Sequence, residues 1–139
     1  MASSFRHVGI VVDDCNKYLP IFQDCLELTL VSDELEQGDF IDHLLGASDI
    51  RVRVVKLCDR RMNVVELIEF ENNQYQDNKV EVNTLGITHF ALNVEKIDAV
   101  ICKLEQHNAK RINTPKINQS NECKVAYVAV GNSFFIELV

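Results

Sequence analysis

The chain has 139 residues, 47% of them apolar, with 21 Asp and Glu against 14 Lys and Arg and a formal charge of −7. This is enough apolar material for a real core and short enough for one compact domain spanning 1–139. The scattered bases exclude the basic stripe that nucleic acid requires, and no apolar run reaches the roughly 18 residues of a membrane span.

The opening MASSFRHVGIVV lacks a basic segment, a long apolar run and a small-residue cleavage site, so it does not read as a secretion signal. Residues 5–12 read as an apolar strand. Asp13 and Asp14 can cap the helix that follows, in which Tyr18, Leu19, Phe22 and Leu26 share one face and Pro20 limits where the helix can begin. Strands are expected near 28–33 and 50–57, and 63–70 forms another. The segment from Leu35 to Gly46 is an insertion without a later counterpart, expected as a short helix or loop over one end of the sheet. The polar stretch 71–79 reads as a connector within a linker of about 71–84.

After the linker the pattern starts again. I87-T88-H89-F90-A91-L92-N93-V94 matches F5-R6-H7-V8-G9-I10-V11-V12, with a histidine at the same place. Ile97, Val100, Ile101 and Leu104 then form one helical stripe. Strands are expected near 109–112 and 123–130, and S133-F134-F135-I136-E137-L138-V139 closes this copy as N63-V64-V65-E66-L67-I68-E69-F70 closes the first. The chain is thus a β-α-β-β-β module written twice, about 4–70 and about 85–139. Cysteines 15, 25, 58, 102 and 123 are odd in number and form no C-x-x-C pair, which reads as reduced, mostly buried thiols of a cytoplasmic protein.

Four residues are foreign to such strands. Strand alternation puts His7 with Gly9, and His89 with Ala91, on one face, where small neighbours leave open volume before the imidazoles. Glu66 is flanked on its face by Val64 and Ile68, and Glu137 by Phe135 and Val139. An ionised carboxylate buried there costs several kcal/mol unless paired, and neither strand holds a Lys or Arg. A cation from outside would answer for both. A single strand histidine is more often a core or edge residue than a ligand; a matched His and a matched Glu in both copies shift the balance to a metal site. The set His7, Glu66, His89 and Glu137 suits zinc, nickel, cobalt, manganese or ferrous iron. His43 and His107 are expected at the surface, Glu69 on the solvated face opposite Glu66, and a nucleophilic Cys58 or Cys123 lacks a neighbouring histidine.

In this order H7-V8-G9-I10-V11-V12-D13, L19-P20-I21-F22-Q23-D24-C25-L26, G86-I87-T88-H89-F90-A91-L92-N93-V94 and V125-A126-Y127-V128-A129-V130-G131-N132-S133-F134-F135-I136-E137-L138-V139 resemble the vicinal oxygen chelate superfamily. That superfamily includes glyoxalase I, methylmalonyl-CoA epimerase, extradiol dioxygenases, fosfomycin-resistance enzymes and bleomycin-binding proteins. The resemblance covers essentially the whole chain. It implies an α+β fold in which two tandem β-α-β-β-β modules form curved mixed sheets around a metal-binding cleft. It also implies that His7, Glu66, His89 and Glu137 are the metal ligands. The His-Glu-His-Glu set is similar to that of bacterial glyoxalase I, whereas the length and the insertion resemble the epimerases. Two departures stand out: L26-E27-L28 replaces the usual Leu-Gly-Leu, and V130-G131-N132-S133 lacks the usual Asp-Pro.

The implied chemistry is Lewis-acid stabilisation of an enolate by a divalent ion, with Glu137 or Glu66 as the base, in an isomerase, epimerase or lyase acting on a small 2-oxo or thioester substrate. The alternatives are a small-molecule-binding protein of the bleomycin-resistance type and an extradiol-type dioxygenase. A homodimer is common in the superfamily and is expected here, with neither nucleic acid nor membrane as partner. The substrate and the metal are left open.

Overall fold

In the computed structural model residues 3–139 are described, except the side chain of Asn73. Met1 and Ala2, which belong to the stretch read for a secretion signal, lie outside the described residues. The chain divides into two compact units, one ending at Gln76 and the other spanning Asp77–Val139.

In the first unit the strands are β1 (His7–Val12), β2 (Thr29–Gln37), β3 (Arg51–Cys58) and β4 (Val64–Phe70), in sheet order β1-β4-β3-β2. β1 runs parallel to β4, and the other pairs are antiparallel. Helix α1 (Cys15–Pro20) follows β1. The capping expectation divides between two residues: the Asp14 side chain accepts from the Asn16 N–H at 2.9 Å, while Asp13 pairs with Lys17 at 2.6 Å.

Pro20 does not mark the start of this helix; it ends the α-helical part. With no N–H of its own it forfeits an i→i−4 bond, and residues Ile21–Cys25 continue as a wider π-turn closed by Leu26 N–H to the Ile21 carbonyl at 3.0 Å. In the L26-E27-L28 stretch Glu27 takes the left-handed backbone, φ 58°. The turn is made by strain rather than by a glycine.

Alternation divides the sheet into two faces. Glu69 lies on the side of Val65 and Leu67, and it accepts the Cys15 N–H at 2.8 Å, which identifies that side as the helix-covered one. Val55, Leu57, Val65, Leu67, Cys15, Phe22 and Cys25 are all buried. Glu69 is therefore not simply solvated: it holds the first turn of α1, where a carboxylate also meets the positive helix end, and Arg53 stands 3.7 Å away. Arg53 in turn grips Asp33 with two bonds of 2.8 and 2.7 Å and reaches Asn16 at 3.1 Å, joining β2, β3 and α1.

The segment from Leu35 to Gly46 folds partly as the end of β2 and then as helix α2 (Asp39–Leu45), stopped by Gly46 at φ 66°. Asp42 caps the following chain by accepting from the Asp49 and Ile50 N–H groups. Ile41 and Ile50 pack with Val52, Val54, Ile68 and Phe70. Those strand residues share the face of Glu66, so the insertion does cover one end of that face.

The second unit repeats the design with β5 (His89–Leu92), helix α3 (Ile97–Glu105), β6 (Ala109–Arg111), β7 (Lys116–Ile117), β8 (Lys124–Val130) and β9 (Phe134–Leu138). The sheet order is β5-β9-β8-β6, β7 pairs with β8, and β5 is parallel to β9. Ile97, Ile101 and Leu104 of α3 are buried as their spacing predicts, together with Val128, Val130, Ile136 and Leu138. The β8–β9 turn is made by Gly131 at φ 54°, with Ser133 N–H on the Val130 carbonyl, and needs no proline. Both sheets are mixed, and with their few helices they make the α+β class expected from the sequence. No helix among the described residues is long and apolar enough to cross a membrane.

Two stability outcomes follow. A left-handed non-glycine residue costs about 1–2 kcal/mol and glycine entropy returns about 0.5–1 kcal/mol of that, so Glu27→Gly should raise unfolding stability by about 0.5 kcal/mol in urea titrations. Arg53 holds the Asp33 carboxyl below its ordinary range, chiefly by direct hydrogen bonding. Asp33 therefore contributes stability that is complete above about pH 4 and lost as pH falls through its lowered folded value. Arg53→Leu should flatten the acid limb of stability against pH; an unchanged limb would show that this pair contributes nothing.

Candidate functional site

Each sheet places its histidine and its glutamate together. β1 and β4 lie in parallel register with His7 beside Val64 and Gly9 beside Glu66, and β5 and β9 repeat this with His89 beside Phe135 and Ala91 beside Glu137. In both units the glutamate stands two residues beyond the residue beside the histidine, on the face turned away from the helix. His7 Nε2 lies 3.4 Å from Glu66 Oε2, and His89 Nε2 lies 3.4 Å from Glu137 Oε2. The two modules therefore build the same local pair independently.

The third antiparallel strand adds a partner that sequence reasoning missed. Lys56 of β3 stands directly opposite Glu66, and Tyr127 of β8 directly opposite Glu137. Lys56 Nζ is 3.5 Å from Glu66 Oε1: the glutamate's own strand holds no base, as expected, and a cation comes from the adjacent strand. The Tyr127 hydroxyl donates to Glu137 Oε2 at 3.3 Å and lies 3.1 Å from His89 Nε2. With its proton on Glu137, the tyrosine oxygen accepts from Nε2–H, and His89 Nδ1 can accept from the Thr88 hydroxyl at 3.3 Å. Burial, then the charge of Glu137, pushes the Tyr127 phenol up from its ordinary value. A Lys or Tyr among apolar residues on one face of the strand, ten residues before the glutamate in both copies, was the available signal.

The carboxylates are not fully buried: their side chains keep 13% exposure at Glu66 and 25% at Glu137. The space beside His7 is also less open than the glycine suggested, since a Cβ at Gly9 would meet Ile68 Cδ1 at 3.0 Å. Ala91 is exposed.

A divalent ion fits each pair in donor chemistry and spacing. Two N or O ligands held about 2.1 Å from one ion at tetrahedral or octahedral angles stand about 3.0–3.4 Å apart, the separation found twice here. Among the described residues, however, no group of three or more His, Cys, Asp or Glu side chains gathers around one point. The structure brings the four residues together as two pairs.

The other candidates fall away from these pairs. His43 is exposed on α2, and His107 is half-exposed just beyond α3. Cys58 is buried, and Cys123 accepts from the Asn118 amide at 3.2 Å. Of the five thiols Cys15, Cys25 and Cys58 are buried, whereas Cys102 is exposed. Burial, then the neighbouring Glu69 carboxylate, pushes the Cys15 thiol up to about 12.

The family model of the Glyoxalase/Bleomycin resistance protein/Dioxygenase superfamily matches residues 6–127. Among solved structures, a glyoxalase family protein from Bacillus cereus is similar at TM-score 0.87 and 20% identity, over 99% of this chain and 93% of that one. A glyoxalase I mutant from Zea mays is similar at TM-score 0.68 and 15% identity, over 96% of this chain and 43% of that one. The fosfomycin resistance protein FosX from Listeria monocytogenes, complexed with Mn(II) and sulfate, is similar at TM-score 0.58 and 14% identity, over 99% and 92%. No curated protein matches the chain. At these identities the likeness to solved structures is one of fold.

Thiol accessibility gives a direct check on this geometry. In native protein an alkylating reagent should modify Cys102 first, with Cys15, Cys25 and Cys58 reacting only on unfolding, as read by mass mapping. Fast native labelling of Cys58 would restore it as a candidate nucleophile.

Proposed function

Because the chain belongs to the glyoxalase/bleomycin resistance protein/dioxygenase superfamily, the vicinal oxygen chelate proteins, we propose that it is a divalent-metal-dependent isomerase, epimerase or lyase acting on a small 2-oxo or thioester substrate. The observation that carries this reading is the repeated His–Glu pair, 3.4 Å apart at the same register in both sheets. In it His7, Glu66, His89 and Glu137 are ligands for zinc, nickel, cobalt or manganese.

The ion supplies Lewis acidity that lowers the cost of an enolate. The chain supplies the rest. A carboxylate, Glu137 or Glu66, takes the C–H proton beside the carbonyl; returning it to the neighbouring carbon isomerises the substrate, and reprotonation of the same carbon on its opposite face epimerises it. Tyr127 holds the orientation of Glu137 through the hydrogen bond it donates to Oε2.

A homodimer accompanies this reading. Its support is apolar surface left open to water, including Phe5 at 87%, Phe40 at 77% and Ile87 at 86% exposure.

Elemental analysis of protein purified without a metal-affinity tag tests the proposal. Wild type should carry near one equivalent of transition metal per quartet, and His89→Ala should lose it. Restoring metal at about 100 times its Kd should stabilise the chelated protein by about 2.7 kcal/mol, read as a rise in Tm. Metal-loaded protein is then assayed on methylglyoxal–glutathione hemithioacetal and methylmalonyl-CoA. Protein that takes up no zinc, nickel, cobalt or manganese would defeat the metal mechanism and leave a ligand-binding protein of the bleomycin-resistance type.

A further inference from the structure

The charge of the chain is unevenly divided. Residues 77–139 hold seven acidic and seven basic side chains, so the whole formal charge of −7 falls on residues 1–76. Within the second unit the bases of the outer strands are sorted by face. Arg111 and Lys124 lie on the helix side and pair with Glu105 and Asp98 of α3, each at 3.3 Å. Lys110 of β6 and Lys116 of β7 lie on the other side, because they stand opposite Ala129 and Val125, the residues two positions either side of Tyr127 on β8. Both are exposed, and among the described residues neither forms an ion pair. The first unit carries the reverse charge at one of these places. Lys56 is the counterpart of Tyr127, so Val54 is that of Val125, and Glu34 stands opposite Val54 where Lys116 stands opposite Val125.

We propose that Lys110 and Lys116 form an oxyanion-binding edge, which holds a carboxylate or phosphate group of the substrate while the reacting end lies along the row of Tyr127 and Glu137. That the anion belongs to a substrate rests on the function proposed above; the edge itself lies wholly in the second unit. Four residues of β8 set the two lysines about 13 Å apart at the backbone. Midway between them Ile112 donates its N–H to the Tyr127 carbonyl at 2.9 Å. Each ammonium ends a flexible four-carbon stem, so both can close on one oxyanion over Ile112. Glu137 repels that anion and turns it toward the edge, which leaves the uncharged end of the molecule nearest the His89–Glu137 pair. A substrate whose anionic group stands apart from its reacting carbon fits this arrangement, and a cationic one does not.

Lysines on an edge strand also deter pairing with another chain, a role that needs no ligand. Amide NMR shifts during titration with inorganic phosphate, and separately with succinate, distinguish the two roles and the two kinds of anion. Resonances of residues 109–117 and Tyr127 should move along a saturating curve, and the anion bound more tightly marks the kind of group the substrate carries. An ammonium about 4 Å from a unit negative charge is worth about fivefold in affinity even in water. Lys110→Gln and Lys116→Gln should therefore each weaken binding about fivefold and Lys110→Arg should preserve it. Lys96→Gln, which removes an exposed charge elsewhere in the unit, should stay within about twofold. Thermal melts establish that each variant is folded. No saturable shift with either anion, or an equal loss in Lys96→Gln, overturns the edge as a binding site. Saturable binding lost in both glutamine variants, in protein that takes up no metal, leaves the edge standing and defeats the metal mechanism; metal uptake without anion binding does the reverse.

Discussion

A β-strand has two faces, and in each half of this protein the helix takes one of them. That constraint governs nearly everything else. Residues one position apart acquire opposite fates: Leu67 is fully buried, while Glu66 beside it is turned away from the helix-covered side. A one-residue slip of β4 against β3 would carry Glu66 into the core and Leu67 out of it, at several kcal/mol for the charge alone. The cost of that error holds the register, and the register holds each histidine against its glutamate.

The same argument explains why two glutamates three positions apart behave differently. Glu69 faces the helix and binds the Cys15 N–H and the Arg53 guanidinium, so it fastens α1 to the sheet. Glu66 faces the other way and meets a histidine and a lysine of neighbouring strands. The charged groups of the first unit are therefore sorted by face. The network of Arg53, Asp33, Asn16 and Glu69 is architectural, and the row of His7, Glu66 and Lys56 is what the architecture displays. In the second unit α3 is joined to the sheet by two separate ion pairs, Asp98 with Lys124 and Glu105 with Arg111, each at 3.3 Å, and by the apolar burial of Ile97, Ile101 and Leu104.

The two halves share one design and differ in detail. The backbone positions that set register are matched, whereas the first copy adds α2, which packs Ile41 and Ile50 over one end of the face carrying Glu66. Lys56 and Tyr127 occupy equivalent positions with different chemistry. The superfamily's varied reactions need such variation, because function depends on side chains set on a shared frame.

The amino-acid sequence by itself determined the module order, the strands apart from β7 and the far end of β2, most of each helix stripe and the matched His and Glu of each copy, because these depend on local periodicity and on resemblance between the halves. It also marked Leu35 to Gly46 as an addition to the first copy. Only the tertiary structure revealed which residues stand opposite which. Lys56 and Tyr127 reach their glutamates across a hairpin register, Glu69 is claimed by a helix 54 residues earlier, and Ile68 fills the space left by Gly9. Pro20 and Glu27 belong to the same group: a proline ends an α-helix or passes it into a π-turn, and a glutamate takes a left-handed backbone, according to what the packing around them requires. Those outcomes depend on distances between segments remote in the chain, which no local pattern records.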